Sequence, residues 1–316
     1  MSEWRPPVAW SDLVEPEHTL GDTLRQSAER WGERPFLGCQ GREMTYGEFD
    51  GWVDRVARGL AGLGVGHGDA VATMLDNGLE YVATWFAASR IGAVEVAINT
   101  AFKGEILSYV LGHSEARALV CHVEYVDQVI PRLEELPRLE HLILVGDAGD
   151  PAEIASRAGI RVTAFAEFDR LDGDPLGIEV SPLDLCQIAY TSGTTGRSKG
   201  VMVPHNRIVQ TGRSLARVRR IDSEDVLYTP LPLFHNNARY ITLMPALAVG
   251  AKVEFGLRFS ASGFFDEVRR CEATQFNYLG VMIAILNKQE PSERDRDHRL
   301  NLGWGAGAPK DIVETF

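Results

Sequence analysis

The chain has 316 residues, 45% of them apolar and 24% charged, which is enough to bury a large core and to exceed one simple domain. A formal charge of -12 excludes a surface that wraps nucleic acid, which needs clustered Lys and Arg, and the mixed composition excludes a disordered or fibrous chain. Cys39, Cys121, Cys186 and Cys271 form no Cys-x-x-Cys pair, and no leader segment or uncharged apolar run of about 18 residues is seen, so a cytoplasmic protein without a transmembrane segment is expected.

In chain order, Thr45-Tyr-Gly-Glu48 reads as a helix capping box, and Phe49, Trp52, Val53, Val56 and Leu60 then recur at helical spacing until Gly62 and Gly64. Residues 70–75 read as a buried strand, 79–91 as a helix apolar on most sides and 94–98 as another strand. A helix at 105–111, a strand at 118–121, a helix at 125–133 and a strand at 142–145 continue the alternation, which predicts parallel strands with helices on both faces. Residues 147–182 are rich in Gly, Asp and Pro with broken periodicity, so a boundary is placed there between a first α/β subdomain, 1–180, and a second, 181–316.

From residue 185 the pattern restarts with a strand to Thr191, a Gly and Thr loop, a helix at 205–219 and a strand at 226–229. Helices at 237–247 and 260–271 alternate with strands at 252–255 and 275–279. Arg213, Arg217 and Arg219 fall on the helix at 205–219 and Arg220 directly follows it, and together they read as a solvated face. The expected fold class is α/β, with stacked, mostly parallel sheets and helices on their faces.

The segment Tyr190-Thr-Ser-Gly-Thr-Thr-Gly-Arg-Ser-Lys199-Gly200 carries the chemistry. Gly193 and Gly196 let backbone approach a ligand without a Cβ clash; Thr191, Ser192, Thr194 and Thr195 offer hydroxyl donors, and Lys199 adds a point charge, as a polyphosphate cradle requires. The common nucleoside-triphosphate loop places Lys directly after its second Gly, whereas Arg197 and Ser198 intervene here. The hydrolase elbow G-x-S-x-G is excluded as well, because Tyr190 stands two residues before Ser192.

This segment resembles the signature loop of the adenylate-forming superfamily, which includes acyl-CoA synthetases, at Thr191, Ser192, Gly193, Thr194, Thr195, Gly196, Lys199 and Gly200. It departs from that pattern at Ser198, where the family usually has Pro. Leu231-Pro-Leu-Phe-His-Asn-Asn237 is similar to the segment in which His235 would line the junction of acyl and ATP sites. Asn236 and Asn237 stand where amino-acid-activating relatives carry an aspartate, which lowers the case for an α-amino acid; they are expected to bond a polar acyl chain or to cap the helix.

Trp304-Gly-Ala-Gly-Ala-Pro309 resembles the family turn whose backbone lies against adenine and acyl group, implying roles for Ala306, Gly307, Ala308 and Pro309. Tyr278, Gly280 and Val281 are the implied tunnel wall, and Tyr240 is a further implied substrate-binding residue. Residues 289–300 look most like crotonobetaine or carnitine CoA ligases, for whose cationic substrates Phe234, Tyr240 and Trp304 would supply aromatic faces. A short or medium acyl chain, in fatty acid or carnitine metabolism, is the implied substrate class.

The resemblance implies an ATP-dependent acid-thiol ligase that forms an acyl-AMP and passes the acyl group to coenzyme A, with His235 and Lys199 as catalytic residues. Magnesium would arrive with ATP, and no protein-built metal site is expected, since no His-x-x-x-His pair occurs. The resemblance implies the large N-terminal domain of the family, expected to be incomplete here and without the small C-terminal domain. The expectations left open are a piece of an acyl-CoA synthetase, a nucleotide-binding protein without turnover, and a regulatory module with a relict loop; a homo-oligomer is a further expectation.

Overall fold

The computed structural model describes residues 18–147, 149–191 and 197–308. A capping box opens α1 (Leu20–Trp31): the Asp22 N–H donates to Thr19 Oγ1 at 3.0 Å and the Thr19 N–H to Asp22 Oδ2 at 3.1 Å. β1 (Pro35–Cys39) and β2 (Arg42–Thr45) form a hairpin whose two turn residues, Gln40 (φ 50°) and Gly41 (φ 79°), are both left-handed. The sequence pattern reveals none of these three elements. α2 (Tyr46–Gly62) opens on the expected Thr45/Glu48 box and buries Phe49, Trp52, Val53, Val56 and Leu60.

β3 (Ala70–Met74), α3 (Leu79–Arg90), β4 (Val94–Ala97), α4 (Gly104–His113), β5 (Ala116–His122) and β6 (His141–Val145) follow the expected alternation. The helix expected at 125–133 is broken into 3-10 turns, Val123–Tyr125 and Ile130–Glu135, around the short α5 (Val126–Val129). Pro131 has no N–H to continue an α-helical ladder there. The segment read as a boundary holds α6 (Pro151–Ala158), capped by Asp150 and closed by Gly159 at φ 67°, and then β7 (Arg161–Ala164).

β8 (Leu185–Thr191) and β9 (Lys199–Pro204) precede α7 (His205–Val218) and β10 (Val226–Thr229). A π-helical stretch, Asn237–Leu243, runs into α8 (Met244–Val249), followed by β11 (Lys252–Phe255), α9 (Phe264–Arg270), β12 (Gln275–Leu279), α10 (Gly280–Leu286) and β13 (Leu302–Ala306).

Among the described residues the strands form two sheets, ordered β7-β6-β5-β3-β4-β8-β9 and β13-β12-β10-β11-β1-β2. All pairings are parallel except the end hairpins β8/β9 and β1/β2. The two ends of the chain trade strands: β1 and β2 sit in the second sheet, and β8 and β9 extend the first. The division between sheets therefore does not coincide with a division of the chain at residue 180.

α1, α2, α3, α7 and α8 fill the space between the sheets, where Leu20, Phe49, Trp85, Ile208 and Leu247 pack with Val71 and Val120 of one sheet and Leu227 and Val253 of the other. The outer faces carry smaller cores, with Leu107 and Val110 of α4 over the first sheet and Phe264 and Val268 of α9 over the second. The result is a layered arrangement in which each sheet is covered on both faces. Among the described residues no helix is long and apolar enough to cross a membrane.

His205, fully buried at the start of α7, ties that helix to α1: the Leu20 N–H donates to its Nδ1 at 3.2 Å, so the neutral ring carries its proton on Nε2. Burial, only partly offset by Asp184 and Asp22, pushes its pKa from 6.5 down to about 4. The unfolded imidazole takes up a proton that the native ring refuses, so stability is full above pH 6.5 and falls as the pH drops toward 4. We expect this residue to remove about 2 kcal/mol of unfolding free energy between pH 7 and pH 5, as read by urea titration, and His205→Asn to abolish most of that difference.

Candidate functional site

In the second sheet β10 leads on to β11 at one side while β12 leads on to β13 at the other, so the connections part over the β10/β12 crevice, where α/β sheets open a binding site at the carboxyl ends of their strands. The loop after β10 is held there by buried Asn77, which follows β3 of the other sheet. Its Oδ1 accepts from the Leu233 N–H at 2.7 Å, and its Nδ2 donates to the carbonyls of Leu231 (2.9 Å) and Gly256 (2.7 Å). The His235 N–H closes a turn onto the Pro232 carbonyl at 3.1 Å. The helix expected at 237–247 then starts π-wound, with the Met244 N–H reaching back five residues to Arg239, and becomes α-helical at Met244.

β12 and β13 close the other side. The buried Asn277 amide donates to the Asn237 carbonyl at 3.3 Å and to Asn237 Oδ1, joining the π-segment to β12. Leu279 pairs with Ala306, and the backbones beyond touch: a Cβ at Gly280 would lie 1.9 Å from the Gly307 carbonyl oxygen, and one at Gly305 would lie 2.1 Å from that of Tyr278. Gly307 takes φ +77°, a left-handed value that favours glycine. The His235–Asn237 loop, Tyr278, Gly280, Ala306, Gly307 and Ala308 thus gather at neighbouring strand ends, while Pro309 lies outside the described residues.

The Gly and Thr loop leads into a strand, not directly into a helix. Thr191 pairs with Lys199 and Tyr190 with Gly200, so the loop is the tip of the β8/β9 hairpin; Ser192, Gly193, Thr194, Thr195 and Gly196 lie outside the described residues. Thr191 and Lys199 are both solvent-exposed. The base of the hairpin rests on α4: the Tyr109 hydroxyl donates to the Ser198 carbonyl at 2.9 Å, the Arg197 guanidinium lies 5.1 Å over the Tyr109 ring, and Tyr190 Oη and His113 Nδ1 share a hydrogen bond of 2.7 Å. Burial, and then Tyr109, push the Tyr190 hydroxyl up to about 12, so this phenol keeps its proton. Nothing in the local sequence marks Tyr109 or His113 as supports, because they act across the sheet edge.

A buried polar network runs behind these loops. Glu95 of β4 and Gln187 of β8 are register partners. Glu95 accepts from Arg239 Nη1 at 2.8 Å, from the Tyr81 hydroxyl at 3.0 Å and from Gln187 Nε2 at 2.9 Å, and the Tyr240 hydroxyl donates to Gln187 Oε1. The Arg239 guanidinium lies 4.8 Å over the Trp85 ring and 5.5 Å over Tyr81, and its Nη2 donates to Asn236 Oδ1 at 3.2 Å. Glu95 and Arg239 have no solvent exposure at all. Burial opposes the guanidinium charge, but Glu95 first and then the two tyrosines outweigh it and hold the Arg239 pKa above its ordinary value.

The same charge reaches His235. Its pKa is lowered, first by desolvation among the surrounding protein atoms and then by Arg239, even though the residue reaches solvent. A neutral imidazole therefore stands at the crevice at neutral pH.

The family profile described as AMP-binding enzyme matches residues 24–316. The chain belongs to the AMP-binding enzyme family. It is 30% identical over 303 residues to the medium/long-chain-fatty-acid–CoA ligase FadD6 of Mycobacterium tuberculosis, covering 94% of this chain and 48% of that protein. It is 31% identical over 293 residues to a crotonobetaine/carnitine–CoA ligase of Salmonella choleraesuis, covering 89% of this chain and 55% of that one. The chain thus spans about half the length of the curated relatives it matches. The fold matches the crystal structure of a putative long-chain-fatty-acid CoA ligase from Rhodopseudomonas palustris with a TM-score of 0.83 at 21% identity, over 94% of this chain and 72% of that one.

Because the Gly280 and Gly307 backbones touch, Gly280→Ala is expected to cost about 1–3 kcal/mol of stability by overpacking and to displace the Gly307 turn. Gly62→Ala, at a helical glycine with nothing within 4 Å of its added Cβ, should instead be neutral or stabilising. Equal urea midpoints for Gly280→Ala and the parent would contradict the close approach.

Proposed function

We propose that this chain is the large N-terminal part of an ATP-dependent carboxylate–CoA ligase. The observation that carries the reading is the Thr191–Gly200 hairpin tip, with its hydroxyls, glycines and Lys199, in a chain of the AMP-binding enzyme family. In the proposed reaction a substrate carboxylate oxygen bonds to the α-phosphorus of ATP, and the bond to the leaving pyrophosphate breaks. The thiol sulfur of coenzyme A then bonds to the acyl carbon, AMP departs with the electrons of the broken acyl–oxygen bond, and the thiol proton passes to solvent.

The protein's task is placement and charge stabilisation, not covalent catalysis. We assign Thr191, Ser192, Thr194, Thr195 and Lys199 to the β- and γ-phosphates, with Gly193 and Gly196 permitting the close approach. Gly307, Ala308 and Pro309 are assigned to the adenine and acyl-adenylate backbone contact, and neutral His235 to the carboxylate. Asn236, Asn237, Tyr240, Tyr278, Gly280 and Ala306 form the acyl wall in this reading. Magnesium is taken to enter with the triphosphate, neutralising charge that Lys199 alone does not balance. Relatives of nearly equal identity are named for fatty acids and for crotonobetaine or carnitine, so they support a carboxylic acid substrate without choosing among these.

Carboxylate-dependent exchange of pyrophosphate into ATP tests the adenylating half-reaction by itself. Lys199→Ala should lower exchange and weaken ATP binding at least tenfold, about the 1.4 kcal/mol that corresponds to one decade of affinity, while weakening AMP binding far less. Equal losses for ATP and AMP would remove Lys199 from the β,γ-phosphate contact.

A further inference from the structure

The acyl wall holds two asparagines whose amide orientation is fixed from behind. An arginine side chain only donates, so the atom that Asn236 turns to Arg239 Nη2 must be its carbonyl oxygen. Arg239 has little freedom to do otherwise, being fully buried, paired with Glu95 at 2.8 Å and set against the Trp85 and Tyr81 rings. The same logic fixes Asn237. The Asn277 atom that meets the Asn237 main-chain carbonyl must be its NH2 group, so the side-chain atom of Asn237 that meets that same group must also be an oxygen.

Both amides therefore spend their oxygens on the interior, and among the described residues neither NH2 group has an acceptor. Both residues are half-buried, at the β10/β12 crevice. A plain hydrocarbon chain placed against them leaves these donors unpaired, whereas an acceptor on the chain satisfies them. A quaternary ammonium group wants open aromatic faces or a free carboxylate. Behind the wall, the Tyr81 and Trp85 faces and the Glu95 carboxylate are already engaged by the protein's own guanidinium, while Phe234, Tyr278 and Trp304 keep partly exposed rings.

Resting on the adenylating reading, we propose that Glu95 and Arg239, acting through Asn236, and Asn277, acting through Asn237, are positioning residues that turn the acyl wall into a donor surface. That surface selects carboxylic acids with a hydroxyl, keto or second carboxylate group on the acyl chain. The substrate class is thus set by buried groups that never touch substrate.

The test uses sulfamoyladenosine analogues of four acids of similar length: a straight-chain acid, its hydroxy and keto derivatives, and a trimethylammonium acid. Their binding to the whole chain is measured by calorimetry, beside pyrophosphate exchange with the free acids. The hydroxy and keto analogues should bind at least about tenfold more tightly than the straight-chain one. Asn236→Leu, at a half-buried position, should lower that ratio severalfold, leaving the part that Asn237 supplies. Arg239→Lys, which keeps the charge opposite Glu95 but loses the second donor nitrogen, should lower it likewise, with the loss appearing in KM for the acceptor-bearing acids.

If the straight-chain or trimethylammonium compounds bind as well or better while exchange proceeds, this inference falls and adenylation stands. If no analogue binds and no acid supports exchange, the adenylating reading falls and the inference with it. A ratio unchanged in folded Arg239→Lys would remove Arg239 and Glu95 from the positioning role.

Discussion

The ion pair between Glu95 and Arg239 joins the two sheets at the point where the site is built. Glu95 belongs to β4 of one sheet, while Arg239 belongs to the π-wound segment that follows β10 of the other. Taking both charges fully out of water costs several kcal/mol per ion, which mutual attraction offsets only when the remaining lone pairs and protons are satisfied. Tyr81, Gln187 and Asn236 supply most of those bonds, Arg239 Nε being left without a partner among the described residues, and two aromatic faces cover the guanidinium. Removing one partner leaves an uncompensated buried charge, so the network holds as a unit or not at all.

From this pair the two halves of the site follow. Gln187 carries the network into β8, whose end at Thr191 begins the hairpin tip, and α4 props the other side of that tip through Tyr109 and His113. Asn236 and Tyr240 carry it into the loop that presents His235, and Asn277 links that loop to the strand ends where Gly280 meets Gly307. The trading of strands between sheets is what makes this layout available: β8 joins the first sheet beside β4, so a loop read late in the chain is anchored on an early strand. The proposed reaction, which brings two anions together, would need this kind of preorganised placement more than a nucleophile.

Much of the fold is legible in the sequence where local signals and burial agree. The Thr45/Glu48 box, the apolar runs of β10, β11 and β12, and β8 itself are bounded by turn residues and fall where their patterns put them. β9 is hidden because it is an edge strand with Val201 and Met202 exposed and a glycine at its start, so no buried face marks it. α1 escapes because its capping box closes on Asp22 in place of the usual Glu or Gln. The π winding after Asn237 has no local signature, since it depends on contacts from β4, β8 and β12.

Of the candidate site, the proposed phosphate loop and the Gly-Ala turn are visible as motifs, whereas the residues that hold them are not. Tyr109, His113 and Gln187 carry ordinary residue types at ordinary spacings. Glu95 and Arg239 did leave a trace: Glu95 is the single charge in the buried, otherwise apolar β4, Arg239 is the single charge in the partly buried Asn237–Leu243 segment, and their signs are opposite. Such a pair of misplaced charges in a sequence is a prompt to look for a buried contact between distant segments.

The most direct measurement is a double-mutant cycle on unfolding free energy with Glu95→Gln, Arg239→Met and the two combined. A coupling of about 2 kcal/mol or more, with the double variant more stable than additivity predicts, is the expected result. Additive costs, with coupling near zero, would mean that the two residues do not act as a pair and that the seam between the sheets is held by something else.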